Sequence, residues 1–135
     1  MHPPAVVRLI PRMQPWARQL ALRFCRPVYL VGSALDLPDP RDVDVRVILS
    51  AEEFEARWGD AKTWFRALWW PGRNDGSMRY AADMWDLSRE ASLVLQLNID
   101  LQVQPPLEAM MHDASKRARL DDVASAVDVD FAGQP

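Results

Sequence analysis

The stretch VYLVGSALDLPDPRDVDVRVILS, residues 28–50, decides how the rest of the chain is read. Val28 to Val31 are four consecutive apolar residues, which predict a short buried strand closed by Gly32. A proline-rich loop follows. Residues 42–49 then alternate, with Val43, Val45 and Val47 pointing one way and Asp42, Asp44 and Arg46 the other. Burying a carboxylate without a partner costs several kcal/mol, so aspartates inside a valine strand call for something bound to them.

Upstream, Pro15 suits the first turn of a helix. Trp16, Leu20 and Phe24 recur every four residues beside Ala17 and Ala21, so a helix is expected over 15–25, with an extended, proline-rich segment over 1–13. Arg26-Pro27 ends that helix. Downstream, Ser50 and Glu53 predict a capping box, Leu49 and Phe54 the staple around it, and Gly59 the stop. A second helix is expected over 61–70 and a loop over 73–77. Tyr80, Met84, Leu87, Ala91 and Val94 mark an amphipathic helix over about 79–96. In a third strand over 98–103, Ile99, Leu101 and Val103 face the core while Asn98, Asp100 and Gln102 face the other side. Pro105-Pro106 stops it, a short helix follows residue 107, and the last fifteen residues are expected to be weakly ordered. The order predicts an α+β (α/β) arrangement: a small mixed β-sheet with helices packed on one face, over residues 1–106, and a C-terminal extension over 107–135.

The 135 residues fit one domain, and 49% hydrophobic residues suffice for a core. No apolar run approaches the ~20 residues of a membrane span, and no signal peptide is read at the N-terminus, so a cytoplasmic protein is expected. The single Cys25 suits a reducing compartment and is expected to be a small buried side chain. A net charge of −3 argues against non-specific binding to long duplexes. Lys116-Arg-Ala-Arg-Leu120 is read as a solvated tail ahead of an arm that touches RNA or nucleotide phosphate across the acidic cleft, Trp64, Trp69, Trp70 and Trp85 at helical spacing as core ahead of base-stacking groups, and His112 as incidental.

Asp42 and Asp44 leave one strand face about 6 to 7 Å apart along the chain. Asp100 has the same setting on another strand, and side by side in one sheet the three would converge. Unpaired carboxylates repel at close range. Two divalent cations about 3.5 to 4 Å apart would neutralise them and bridge phosphate oxygens, and oxygen donors favour Mg²⁺. Gly32 allows close backbone approach, and the Ser33 hydroxyl with the following amides can donate to phosphate.

The run Leu30-Val31-Gly32-Ser33, then Asp42-Val43-Asp44-Val45, then Asp100 in Asn98-Ile-Asp-Leu-Gln-Val103, resembles the nucleotidyltransferase superfamily that includes DNA polymerase beta. The short length is similar to minimal single-domain members and to phage-type nucleotidyltransferase-like proteins. The resemblance implies that Gly32 and Ser33 hold the triphosphate of an NTP, that Asp42 and Asp44 ligate both Mg²⁺ ions, and that Asp100 ligates one of them and helps deprotonate the attacking hydroxyl. The acceptor could be a protein, an RNA end or a small molecule. Many minimal members carry an Arg soon after Gly-Ser, where this chain has Ala34-Leu-Asp-Leu-Pro38. Arg46 shares the aspartate face, either as a phosphate clamp or as a salt-bridge partner that holds Asp44 or Asp100. Arg41 is read as solvated, Asp36 and Asp39 as facing solvent, and Asn98 or Gln102 as a group that could orient Asp100. Tyr80 and Asn98 are further possible substrate contacts. A different class is a non-catalytic nucleotide-binding or protein-interaction module of the same fold, antitoxin-like or a phage accessory protein, acting with a partner protein or as a homo-oligomer.

Overall fold

The computed structural model describes residues 2–60, 76–106, 116–122 and 129–131. Among them are the α-helices α1 (Val6–Phe24), α2 (Ala51–Trp58) and α3 (Gly76–Leu95) and the strands β1 (Val28–Val31), β2 (Val43–Ile48), β3 (Ile99–Gln104), β4 (Lys116–Arg119) and β5 (Val129–Phe131). The strands form one mixed sheet in the order β3-β2-β1-β4-β5. β1 is antiparallel to β2 and β4, β4 is antiparallel to β5, and β2 and β3 run parallel. Helices pack on the sheet, so the fold is α+β, as the sequence predicts. No helix among the described residues is long and apolar enough to cross a membrane.

The alternation in β2 sorts its side chains as expected: Val43, Val45 and Val47 are buried, and the residues between them are only half-buried. β3 repeats this with Ile99, Leu101 and Val103. These six residues join Val28 and Leu30 of β1 and the inner faces of the helices in one core. The opposite face keeps Asp44, Arg46, Asp100 and Gln102 together.

α1 is longer than the sequence suggests. It begins at Val6 and runs through Pro11 and Pro15, where an extended segment was expected over 1–13. Each proline removes one backbone hydrogen bond and costs about 3 kcal/mol in a helix interior. Both prolines face solvent, while Val6, Leu9, Ile10, Met13, Ala17, Leu20 and Phe24 form one buried stripe. At about 1.5–3 kcal/mol per large apolar side chain, that stripe outweighs two prolines. Trp16 and Ala21 lie partly buried beside it. The helix ends at Cys25 in the left-handed conformation (φ 54°), with its N–H bonded to the Ala21 carbonyl. That cap turns the thiol outward, so Cys25 is exposed rather than buried. α2 carries the expected capping box between Ser50 and Glu53 and stops at Gly59 (φ 89°).

α3 closes the open edge of β3. The Tyr80 hydroxyl donates to the Val103 carbonyl at 2.7 Å. The Ser88 hydroxyl bonds both the N–H and the carbonyl of Leu101, at 2.9 and 3.2 Å, and that of Ser92 does the same for Ile99, at 3.0 and 3.4 Å. Four helical residues rise about 6 Å and two strand residues about 6.6 Å, so side chains every fourth position keep step with every second strand residue. An edge that would otherwise invite another strand is thereby satisfied. The contact row turns the helix slightly from the stripe read in sequence. Met84 and Ala91 are buried, Tyr80 and Leu87 are partly buried, and Leu95 is buried in place of Val94, which is 63% exposed. Trp85 was expected in the core but is 69% exposed. Trp64, Trp69, Trp70, His112 and the helix expected over 61–70 lie outside the described residues. The loop expected over 73–77 gives way to helix by Gly76.

Lys116-Arg-Ala-Arg-Leu120 is not a solvated tail. Its first four residues form β4, Ala118 and Leu120 are fully buried, and the Leu120 N–H donates to the Val28 carbonyl at 2.8 Å. The free edge of β1 explains this, since its unpaired backbone groups need partners once the sheet forms. Arg117 stacks over Tyr29 with its guanidinium carbon 4.4 Å from the ring centroid. Within the last fifteen residues, Val129–Phe131 pairs with β4.

Candidate active site

β1 delivers Gly32, β2 delivers Asp44 and Arg46, and β3 delivers Asp100. In the parallel register Asp44 stands directly opposite Asp100, and on the antiparallel side it stands opposite Val31, the residue before Gly32. Gly32 opens a 3₁₀ turn, Gly32–Leu35, with φ +75°. A Cβ at this position would overlap Asp44 Oδ2 and stand 3.3 Å from Asp44 Cγ. Glycine is required here on two counts: the left-handed φ, and the space that the Asp44 carboxylate fills. The space a side chain would take at Gly32 is therefore filled by an acid of this chain, whereas the sequence suggests a phosphate approaching the glycine.

Asp42 lies just before β2 and is exposed. Its Oδ1 accepts a hydrogen bond of 2.5 Å from Asn98 Nδ2. The Val43 N–H donates to the Asn98 carbonyl at 2.8 Å, so the two strand starts are tied together by one asparagine. Gln102 Nε2 is 3.5 Å from Asp100 Oδ1, and Gln104 Nε2 donates to Gln102 Oε1 at 3.1 Å. Asn98 and Gln102 thus hold different acids, Asp42 and Asp100 respectively.

Arg46 acts as the salt-bridge partner. Its Nη2 lies 3.7 Å from Asp100 Oδ2 and 4.0 Å from Asp44 Oδ1, and its Nη1 donates to the carbonyls of Val45 (2.9 Å) and Asp100 (3.0 Å). Burial raises the pKa of Asp44 above the usual carboxylate value. The Arg46 charge opposes this, and the Asp100 and Asp42 charges add to it.

The loop that follows the turn is braced on several sides. Asp36 is exposed, as expected, and its carboxylate pairs with Lys116 of β4. Arg8 of α1 donates to the Pro38 carbonyl at 2.6 Å, and the Ala5 N–H to the Leu37 carbonyl at 2.8 Å. The Ser33 carbonyl accepts the N–H groups of Asp36 and Leu37 at 3.1 and 2.7 Å. Tyr80, a possible substrate contact in sequence, packs on Phe54 and Trp58 and bonds β3.

A surface cavity of about 450 Å³ lies at the other end of β1, bounded by Arg18, Cys25, Arg26, Arg119 and Asp121. Two of its arginines are already matched, Arg26 to Glu53 and Arg119 to Asp121.

The donor chemistry of the acidic cluster fits a hard divalent cation, because it offers carboxylate oxygens from adjoining strands. Asp44 and Asp100 meet, while Asp42 is turned to Asn98. Among the described residues, no three His, Cys, Asp or Glu side chains are already gathered as a ligand set. No family model, curated protein or solved structure matches this chain.

Proposed function

We propose that this chain is a minimal Mg²⁺-dependent nucleotidyltransferase that moves a nucleoside monophosphate from an NTP to a hydroxyl of a protein, an RNA end or a small molecule. The observation that carries the reading is the in-register meeting of Asp44 and Asp100, beside a Gly-Ser turn at the end of β1. Asp42, Asp44 and Asp100 would hold the two Mg²⁺ ions. Bound there, Mg²⁺ neutralises triphosphate charge and supports in-line displacement with loss of pyrophosphate. The chain's own part is positioning. Asp100 orients the acceptor hydroxyl and receives its proton, while Ser33 and the turn amides donate to phosphate oxygens. Arg46 keeps the two facing acids at a fixed spacing, and the Asp36–Lys116 pair removes one negative charge from the triphosphate's approach.

A second reading is a nucleotide-binding or protein-interaction module without turnover, antitoxin-like or a phage accessory protein. Two observations favour it: Arg46 already offsets the acids, and Met78, Trp85 and Leu93 leave apolar surface exposed on α3.

Incubating the protein and Mg²⁺ with each labelled NTP and a whole-cell extract tests the first reading. Label transferred to protein, RNA or a small molecule, and lost in Asp44→Ala and Asp100→Ala variants that still fold, supports it. Unchanged transfer in both variants removes it. NTP binding without pyrophosphate release favours the module.

A further inference from the structure

We propose that Arg46 is the resident cation of the acidic pocket, and that a divalent ion binds by displacing its guanidinium from Asp44 and Asp100. The proposal rests on the reading of those acids as cation ligands. One guanidinium spans both strands. Nη1 is anchored by two carbonyls, those of Val45 and Asp100, at 2.9 and 3.0 Å. Nη2 faces the two carboxylates, at 3.7 Å from Asp100 and 4.0 Å from Asp44. The Arg46 side chain is 14% exposed, whereas Asp100 is 47% exposed, so water screens the Asp100 attraction in part and the arginine stays in place chiefly through its own burial and the two carbonyls.

Arginine stays charged at any physiological pH. Two carboxylates in register on neighbouring strands repel, and a third, Asp42, adds to the field at Asp44. One positive charge cannot balance them, so the pocket still attracts a divalent ion. That ion must compete with a cation already in place, and affinity is the difference between the two sets of contacts. Because the carbonyls hold Nη1 independently of the acids, the arginine is built into the strand pair rather than loosely drawn to surface charge.

The test uses the full chain with Mn²⁺ alone, in calorimetric titrations and in thermal melts with Mn²⁺ or with chelator. Arg46→Gln removes the charge and keeps a polar side chain. It is expected to bind Mn²⁺ at least about tenfold more tightly than the unaltered chain, to melt lower in chelator, and to gain more from added Mn²⁺. Arg46→Lys keeps the charge without the planar fork and falls between the two. Equal or weaker Mn²⁺ binding by Arg46→Gln overturns the proposal. If Arg46→Gln does not fold even with Mn²⁺, Arg46→Lys decides: binding at least about threefold tighter upholds the proposal, and any smaller change overturns it. Binding by the unaltered chain that the variant does not improve removes this proposal alone. Failure of the unaltered chain and every Arg46 variant to bind millimolar Mn²⁺ removes the metal reading with it.

Discussion

The side chain that Gly32 lacks is replaced by the carboxylate of Asp44: a methyl group on Gly32 would overlap Asp44 Oδ2. The turn at the end of β1 and the half-buried acid of β2 are therefore one packing unit. Gly32→Ala is expected to destabilise the fold by about 1–3 kcal/mol, partly through the left-handed φ and partly through the clash. Urea unfolding of Gly32→Ala, Asp44→Ala and the double variant separates the two causes. In the double variant only the φ cost should remain, because Asp44 Cβ is at an ordinary 3.4 Å. Strict additivity of the two single changes would show that the residues do not share this space.

Asp44 should burden the fold at neutral pH. The folded protein holds its proton more tightly than the unfolded chain does, chiefly because of burial. Stability is therefore lost as pH rises from the ordinary carboxylate range through the raised folded value. In chelator, Asp44→Asn is expected to be more stable than the unaltered chain at pH 7 and no more stable in acid. A variant no more stable at pH 7 would contradict this.

Asp121 behaves in the opposite way. Burial pulls its pKa upward, but hydrogen bonds from Arg119 and the Val28 N–H, together with the Arg119 charge, hold it below the usual carboxylate value. Its contribution is thus complete above the ordinary range and lost as pH falls through the lower folded value. The 2.9 Å bond to the Val28 N–H ties the end of β4 to the start of β1. Asp121→Asn should cost about 1–3 kcal/mol at pH 7, and the difference should shrink in acid. Melting curves across pH check it; a cost that persists unchanged in acid would rule out the ionised form as its source.

Pro15 lies on the solvent side of α1, where it removes the hydrogen bond to the Pro11 carbonyl. Pro15→Ala should restore that bond and stabilise the protein by about 1–2 kcal/mol, after subtracting the greater freedom of the unfolded chain. Denaturant midpoints measure it; a loss of stability would mean that the ring itself packs usefully.

Several features were legible because they are local. The valine alternation of residues 43–47 needs only the two-residue period of a strand, and the capping box of Ser50 and Glu53 only one helical turn. Side chains fixed by neighbours distant in sequence were harder to read. Arg46 had two roles open to it, phosphate clamp or salt-bridge partner, and only the pairing of β2 with β3 brings Asp100 within reach of its guanidinium. Asn98 gave no sign that it would hold Asp42 rather than Asp100. Helical spacing pointed Trp85 to the core, but α3 turns its Tyr80-Met84-Ser88-Ser92 row toward β3 and leaves Trp85 outside.

From sequence alone came the α+β class, the apolar and acidic faces of β2 and β3, and the glycine that ends β1. These follow from side-chain period and backbone sterics, which each segment carries by itself. Only the tertiary structure decided that α1 runs through two prolines, that Lys116–Arg119 becomes a strand, and that a guanidinium sits between the facing acids. Each of those outcomes depends on which surfaces meet, and burial summed over the whole core can override a proline's cost or a cluster's charge.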